Sequence, residues 1–148
     1  MKKYLVIMFS LMMVTGCGAS DESPEGTLTC TAKNKFEQYE TTPTYVYTFK
    51  FNEGETEVES IKGEITFEYD ENVNLEEKKL EIENQECAYY QNITDNCSAT
   101  YENNKVILKV VMDPLKTTDN RKTMSKAEAK QRYESGNYDT LREKYNCK

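Results

Sequence analysis

Hydrophobic and polar residues alternate along several short stretches of the chain, the pattern of strands that bury one face. The clearest stretch is residues 44–51, which alternates four aromatic residues with smaller or charged ones, and residues 28–32 alternate in the same way. Residues 56–70 alternate as well, but Val58 is out of phase with the apolar residues that follow it. We therefore expect three strands in this half of the chain, with a β-bulge near Ser60–Gly63 in the third.

A β-hairpin is predicted over residues 97–110, because Asn103-Asn104 can form a two-residue turn between two alternating strands. This turn brings apolar residues opposite each other on one face: Tyr101 with Val106, Ala99 with Leu108, and Cys97 with Val110. A shift of the strand register by one residue would remove these apolar pairs.

Two capping signals mark the starts of helices. Asn74 precedes a helix expected over residues 75–90, and Ser125 precedes one over about 126–134 that ends at Gly136. A last short helix is expected from residues at helical spacing: Tyr138, Leu141 and Tyr145. This order of elements predicts an α+β domain, an antiparallel sheet of about five strands with one central helix and C-terminal helices packed on one face.

Residues 1–16 have the pattern of a secretory signal peptide, with two lysines followed by an apolar run about half as long as a membrane span. The run ends in Val14-Thr15-Gly16-Cys17, which looks like the lipobox of bacterial lipoproteins. We expect cleavage before Cys17, lipid on its sulfur, a flexible tether over residues 17–27 and one domain over residues 28–148. An ordinary secretory signal with an incidental cysteine is the alternative.

Four cysteines follow Cys17, and an even number in an exported chain suggests two disulfides. Three pairings can be drawn. We favour Cys87–Cys97, which are close in sequence, together with Cys30–Cys147, which would join the two ends of the domain. The chain lacks the C-x-x-C spacing of redox-active pairs, and cysteines bonded to each other cannot ligate a metal.

The chain is acidic, with 26 Asp and Glu against 19 Lys and Arg. Removal of the signal peptide takes two lysines, leaving 17 − 26 = −9, which argues against nucleic acid as the partner. Residues 113–148 are richer in basic residues, and two interpretations stay open. They are attracted to the acidic residues 52–86 within the fold, or they form a cationic strip for an anionic wall polymer or a protein. The strip would comprise Lys116, Arg121, Lys122, Lys126, Lys130 and Arg132.

The sequence contains no histidine, which removes Ser-His-Asp and Cys-His catalytic systems and histidine metal sites. Asp70, Asn72, Asn74 and Glu81 have the spacing of an EF-hand loop, but Leu75 occupies the position that requires glycine. We therefore predict a protein with no catalytic residues, no cofactor and no metal. A carboxylate-dependent envelope hydrolase is the alternative.

Tyrosine is frequent, with eleven in the chain. Tyr89 and Tyr90 lie near the end of the predicted central helix, beside Asn92, and could line an exposed binding groove, with packing in the core as the alternative. Those in the predicted strands fit the core face by parity: Tyr45, Tyr47, Tyr69 and Tyr101.

Several segments carry a resemblance to a known group: the lipobox, Leu28-Thr29-Cys30-Thr31, Tyr45–Phe51, Tyr138-Asp139-Thr140-Leu141 and Tyr145-Asn146-Cys147-Lys148. Together they resemble small lipoproteins of low-GC Gram-positive bacteria and are similar to the YehR-like lipoprotein family over most of the mature chain. The resemblance implies an α+β domain and supplies no catalytic residues. We expect a lipoprotein anchored by Cys17 to the extracytoplasmic face of the cell membrane, a non-enzymatic binding or accessory module of the envelope.

Overall fold

The computed structural model describes residues 24–34, 40–114, 123–136 and 144–148. In these ranges the chain forms an antiparallel sheet of six strands and two helices. The strands are β1 (Thr27–Lys33), β2 (Thr44–Phe51), β3 (Val58–Glu68), β4 (Thr94–Glu102), β5 (Lys105–Met112) and β6 (Asn146–Cys147). The helices are α1 (Leu75–Tyr90), between β3 and β4, and α2 (Lys126–Ser135), between β5 and β6.

The strands lie in the order β4-β5-β3-β2-β1-β6, which confirms the α+β class and corrects the number of strands. The sixth strand consists of Asn146 and Cys147, which pair with Thr31 and Cys30 of β1. Two residues are too few for alternation to reveal a strand, so the sequence predicts a helix there instead. Residues 137–143, which hold most of that expected helix, lie outside the described residues.

The alternation of β2 places its aromatic residues in the core as predicted. Phe49 and Phe51 are buried, together with the apolar residues of β3 and β5 on the same side of the sheet. Both helices lie on this face. The ring of Tyr133 in α2 meets the ring of Phe49 with centroids 4.9 Å apart, and Cys87 in α1 is bonded to Cys97 in β4.

The predicted bulge in β3 is present but begins one residue earlier than expected. Lys50 pairs with Ser60 while Phe51 pairs with Val58, so Glu59 is the additional residue. This extra residue lets Val58 and the later apolar residues of β3 share the buried face despite their different parity.

Gly63 lies beyond the bulge, and its lack of a side chain makes room for side chains of the two neighbouring strands. A Cβ atom on Gly63 would lie 2.6 Å from Cγ2 of Val110 and 3.0 Å from Cε1 of Tyr47. Both distances are shorter than van der Waals contact between carbon atoms. The missing side chain therefore lets residues of β2 and β5 approach each other across β3.

The β4–β5 hairpin has the predicted register, with Asn103 and Asn104 at φ values of 46° and 61°. Tyr101 departs from the expectation of a core position because β4 is an edge strand, and 48 % of Tyr101 remains exposed.

Both helix caps are also as predicted. The side chain of Asn74 accepts from the amide of Glu77 at 3.3 Å, and Ser125 accepts from the amide of Glu128 at 3.2 Å. Gly136 ends α2 at a φ of 67°. Among the described residues, neither helix has the length and apolar composition that crossing a membrane requires.

The disulfides join Cys30 to Cys147 and Cys87 to Cys97, the pairing that the sequence favours. The first connects β1 to β6, and the second connects α1 to the edge strand β4. By loop-closure entropy, the bridge across ten residues stabilises the fold by about 3 kcal/mol, and the one across 117 residues by nearly 5 kcal/mol. Both magnitudes are comparable with the whole stability of a small domain.

Candidate functional site

The candidate groove at the end of α1 does not form as the sequence suggests, because its three residues have different surroundings. Tyr90 is buried, with 6 % of its surface exposed, whereas Tyr89 is 61 % exposed. Asn92 is also exposed, in the connection between α1 and β4. The helix buries Ile82, Glu86 and Tyr90 at intervals of four, so Tyr89 is turned away from the sheet. Tyr89 and Asn92 are therefore accessible to a partner, and Tyr90 is not.

Tyr90 instead joins α1 to the centre of the sheet. Its hydroxyl lies 3.2 Å from the hydroxyl of Tyr47, within hydrogen-bonding distance. The ring of Tyr47 also contacts the rings of Tyr133 and Tyr145, at centroid distances of 6.0 and 5.7 Å. This buried group of four tyrosines holds α1, α2 and the C-terminal segment against one strand.

Burial determines the protonation of this pair. Removal from water disfavours a phenolate, and it raises the pKa of both Tyr47 and Tyr90 above the usual value, with nearby tyrosines adding to the shift for Tyr47. The two side chains are thus neutral at physiological pH. The arrangement is that of a structural contact, since a general base would need a pKa near the working pH.

Glu86 is a buried residue that the sequence interpretation missed. It lies on the buried stripe of α1 and contributes to the raised pKa of Tyr90 through the repulsion between two negative charges. The spacing Ile82–Glu86–Tyr90 could have revealed it, but a glutamate in an acidic helix is normally assigned to the solvent side. Its position between α1 and the sheet places it inside the core.

The hydrolase alternative requires two carboxylates that flank a substrate. Among the described residues, Glu86 is the one acidic residue that is buried, and the other acids whose burial is described are partly or fully exposed. In the same part of the chain, every buried side-chain nitrogen or oxygen has a hydrogen-bonding partner.

Lys126, the first residue of α2, forms an ion pair with Glu55 near the start of β1. Its ammonium lies 2.8 Å from Oε1 of Glu55, and the same oxygen accepts from the amide of Gly26 at 3.3 Å. The hydrogen bond from Lys126 lowers the pKa of Glu55. These contacts attach α2 and the entry to β1 to the turn between β2 and β3.

The other two cations of α2 pair with acids on the same helix. Arg132 lies 2.6 Å from a carboxylate oxygen of Glu128, and the ammonium of Lys130 lies 3.9 Å from Glu134. The described part of the predicted cationic strip is therefore matched by negative charge, which favours the interpretation that these charges act within the fold. The remaining strip residues lie outside the described residues: Lys116, Arg121 and Lys122.

The sheet face opposite the helices is a second accessible surface. It carries threonines together with lysine and glutamate, and two of its ion pairs cross between strands: Lys105 with Glu68 and Lys50 with Glu59, each at 2.8 Å. Val111 is an exposed apolar residue on this face. Surface ion pairs of this kind contribute little to stability.

The segment with EF-hand-like spacing has a structural role at Asn74, whose side chain caps α1. Across the ranges the structure describes, no group of three or more Cys, Asp or Glu side chains is arranged to hold a metal ion. Cys17, the expected site of lipid attachment, lies outside those ranges.

Taken together, these features define a small disulfide-bonded α+β domain with its helices on one face of an antiparallel sheet. Comparison of the chain with known protein families, with curated proteins and with solved structures gives no match.

Proposed function

We propose that the protein is an extracytoplasmic lipoprotein, anchored in the cell membrane by lipid on Cys17, that serves as a non-enzymatic binding or accessory module of the bacterial envelope. The residues before Cys17 support the anchor, and the resemblance to YehR-like lipoproteins belongs to the same proposal. Its partner would be a protein or a cell-wall polymer.

The observation that carries this proposal is the combination of a lipobox with two disulfides in one small domain. Disulfides persist in oxidising surroundings outside the cytoplasm and are rare inside it. All four cysteines after Cys17 are used in the two bridges. This leaves Cys17 as the one cysteine available for lipid.

The anchor would restrict where the domain can act. Pro24, the first described residue, lies 24 − 17 = 7 residues after Cys17. A fully extended chain spans at most about 3.5 Å per residue, so the domain would begin within roughly 25 Å of the membrane surface. A partner would have to be in the membrane or in the adjacent layer of the envelope.

Fractionation of cells that express the wild-type chain and Cys17→Ser tests the anchor. We expect the wild type in the membrane fraction, with a fatty-acylated Cys17 as its first residue by mass spectrometry. Cys17→Ser should lose the lipid and leave that fraction, while Ser20→Ala, in the tether, should behave as the wild type. A wild-type protein in the cytosol, with residues 1–16 intact and no fatty acid, would refute the proposal.

Cross-linking in intact cells, followed by mass spectrometry, tests the binding role. We expect a reproducible partner whose yield falls in Tyr89→Ala, because Tyr89 is the most exposed aromatic residue of α1. Leu80→Ala is the matched control, since Leu80 is also exposed but lies nine residues away, on the opposite side of the helix. Turnover of a glycan panel by the purified protein, with no partner recovered, would favour the hydrolase instead.

A further inference from the structure

We propose that the Cys87–Cys97 disulfide is a redox-responsive clasp, which a dithiol opens to loosen α1 from the edge of the sheet while the Cys30–Cys147 disulfide stays closed. This inference goes beyond the proposed function. It concerns the folded domain, so it does not depend on whether Cys17 carries lipid.

The two disulfides differ in their access to solvent. Cys30 and Cys147 are buried, with 0 % and 3 % of their surfaces exposed, between β1 and β6. Cys87 and Cys97 are each only partly buried, at the rim where α1 meets β4. Thiol–disulfide exchange requires direct approach of a thiolate to one sulfur, and exposed disulfides are the labile and regulatory ones. The geometry therefore predicts selective reduction of Cys87–Cys97.

The partly buried bridge holds α1, a helix that packs on the sheet through a narrow buried face. Of the sixteen residues in α1, the buried ones are Ile82, Glu86 and Tyr90. The bridge fixes α1 to β4, which has a neighbouring strand on one side only. Most of the stability of a helix in a protein comes from its packed face, and this face is narrow. Loss of the bridge would leave α1 attached through its buried stripe, the partly buried Leu75 and the Tyr47–Tyr90 hydrogen bond.

The chemical step is a two-electron exchange. One thiolate of the dithiol attacks a sulfur of the bridge and forms a mixed disulfide, and the other cysteine leaves as a thiolate that takes up a proton. The second thiol then closes on the mixed disulfide and releases the other cysteine. Cys87 and Cys97 end as thiols, and the dithiol ends as its own disulfide. Oxidation by another disulfide would reverse the step.

Loosening of α1 would uncover apolar residues of β4 and β5 on the helix-covered face, including Ala99 and Leu108. These residues are buried in the closed form. The clasp would thus control access to an apolar surface at one edge of the sheet.

A titration of the purified chain with dithiothreitol, followed by alkylation and peptide mapping, tests selectivity. We expect alkylated Cys87 and Cys97 at concentrations that leave Cys30 and Cys147 bonded. At that point, hydrogen exchange should accelerate about tenfold or more in α1, since loop closure by the bridge no longer opposes opening. Exchange in β2 and β3 should accelerate less than in α1, because these central strands are protected by the packing of the whole sheet.

The double variant Cys87→Ala/Cys97→Ala supplies a second measurement and should show fast exchange in α1 without reductant. Cys30→Ala/Cys147→Ala is the matched control and should affect β1 and β6 instead. The proposal fails if both bridges are reduced together, if the buried bridge is reduced first, or if α1 exchanges at the same rate after Cys87–Cys97 is opened.

Discussion

The hydroxyl of Tyr47 lies 3.2 Å from the hydroxyl of Tyr90, and this contact joins a central strand to the last turn of α1. Removing one hydroxyl leaves the other buried with an unmet hydrogen bond, so we expect Tyr90→Phe to destabilise the domain by about 1–3 kcal/mol. Removing both should cost less than the sum of the single changes, because neither buried group is then left unpaired. Urea unfolding of Tyr47→Phe, Tyr90→Phe and the double variant measures this difference.

Tyr89→Phe is the matched control, because the exposed hydroxyl is hydrated in both folded and unfolded chains. Its effect should stay within about 0.5 kcal/mol. Additive effects of the two core substitutions would contradict the proposed hydrogen bond.

The same pair predicts a loss of stability at alkaline pH. Burial raises the pKa of Tyr47 and Tyr90 in the folded protein, whereas in the unfolded chain both titrate near the usual value of about 10. Above that pH the unfolded chain binds fewer protons than the folded one, so the free energy of unfolding falls as the pH rises. Below it, the contribution of these hydroxyls is fully present.

Urea unfolding between pH 8 and pH 11, values chosen to bracket the usual tyrosine pKa of about 10, measures this slope. We expect a smaller decrease in Tyr47→Phe/Tyr90→Phe than in the wild type, because two of the titrating groups are gone. Equal slopes for the double variant and the wild type would argue against the assigned role of burial.

Gly63 should not tolerate a larger side chain. The Cβ of alanine would overlap Cγ2 of Val110 at 2.6 Å, so we expect Gly63→Ala to destabilise the domain by about 1–3 kcal/mol. Thermal unfolding checks this, with Gly54→Ala as the control, because a Cβ there meets only Thr56, at 3.7 Å. In a Gly63→Ala/Val110→Ala variant the loss should be smaller than the sum of the two. A fully additive result would place the strain elsewhere.

The hairpin turn offers a comparison at a single position. Asn104 has a φ of 61°, a region that glycine enters freely and alanine enters at a cost of about 1–2 kcal/mol. We expect Asn104→Ala to lower the midpoint of thermal unfolding and Asn104→Gly to keep or raise it. The amide of Tyr69 donates to the backbone carbonyl of Asn104, so both variants can retain that hydrogen bond. Equal midpoints for the two variants would rule out backbone strain as the cause.

The sequence predicts local features that repeat over several residues. The alternation in residues 44–51 predicts β2 with its bounds, and the Asn103-Asn104 turn predicts the register of the hairpin. The bulge in β3 follows from the changed parity after Val58, but parity alone cannot place it at Glu59. Gly63 lies in the range expected for the bulge, but its role follows from the closeness of Val110 and Tyr47, which belong to strands distant in sequence.

The sequence could not show that Tyr89 and Tyr90 have different surroundings, because their exposure depends on which face of α1 is turned to the sheet. The helical spacing of the apolar residues places Tyr89 on the same stripe as Ile82. The structure instead buries a glutamate, Glu86, on the stripe that ends at Tyr90. Two large apolar residues of α1 face solvent, Leu80 and Tyr89, so hydrophobicity alone gives no clear direction. Tertiary packing decides the orientation of so weakly amphipathic a helix.

The Cys30–Cys147 bond would have a mechanical consequence in the lipid-anchored protein that we propose. Tension applied between the N-terminal tether and the C-terminus enters the domain at β1, reaches Cys30 and crosses directly to Cys147 through the sulfur atoms. The load would pass through Thr27–Thr29, the part of β1 that precedes Cys30. The chain between the two cysteines, with both helices, would lie outside the covalent path of that load.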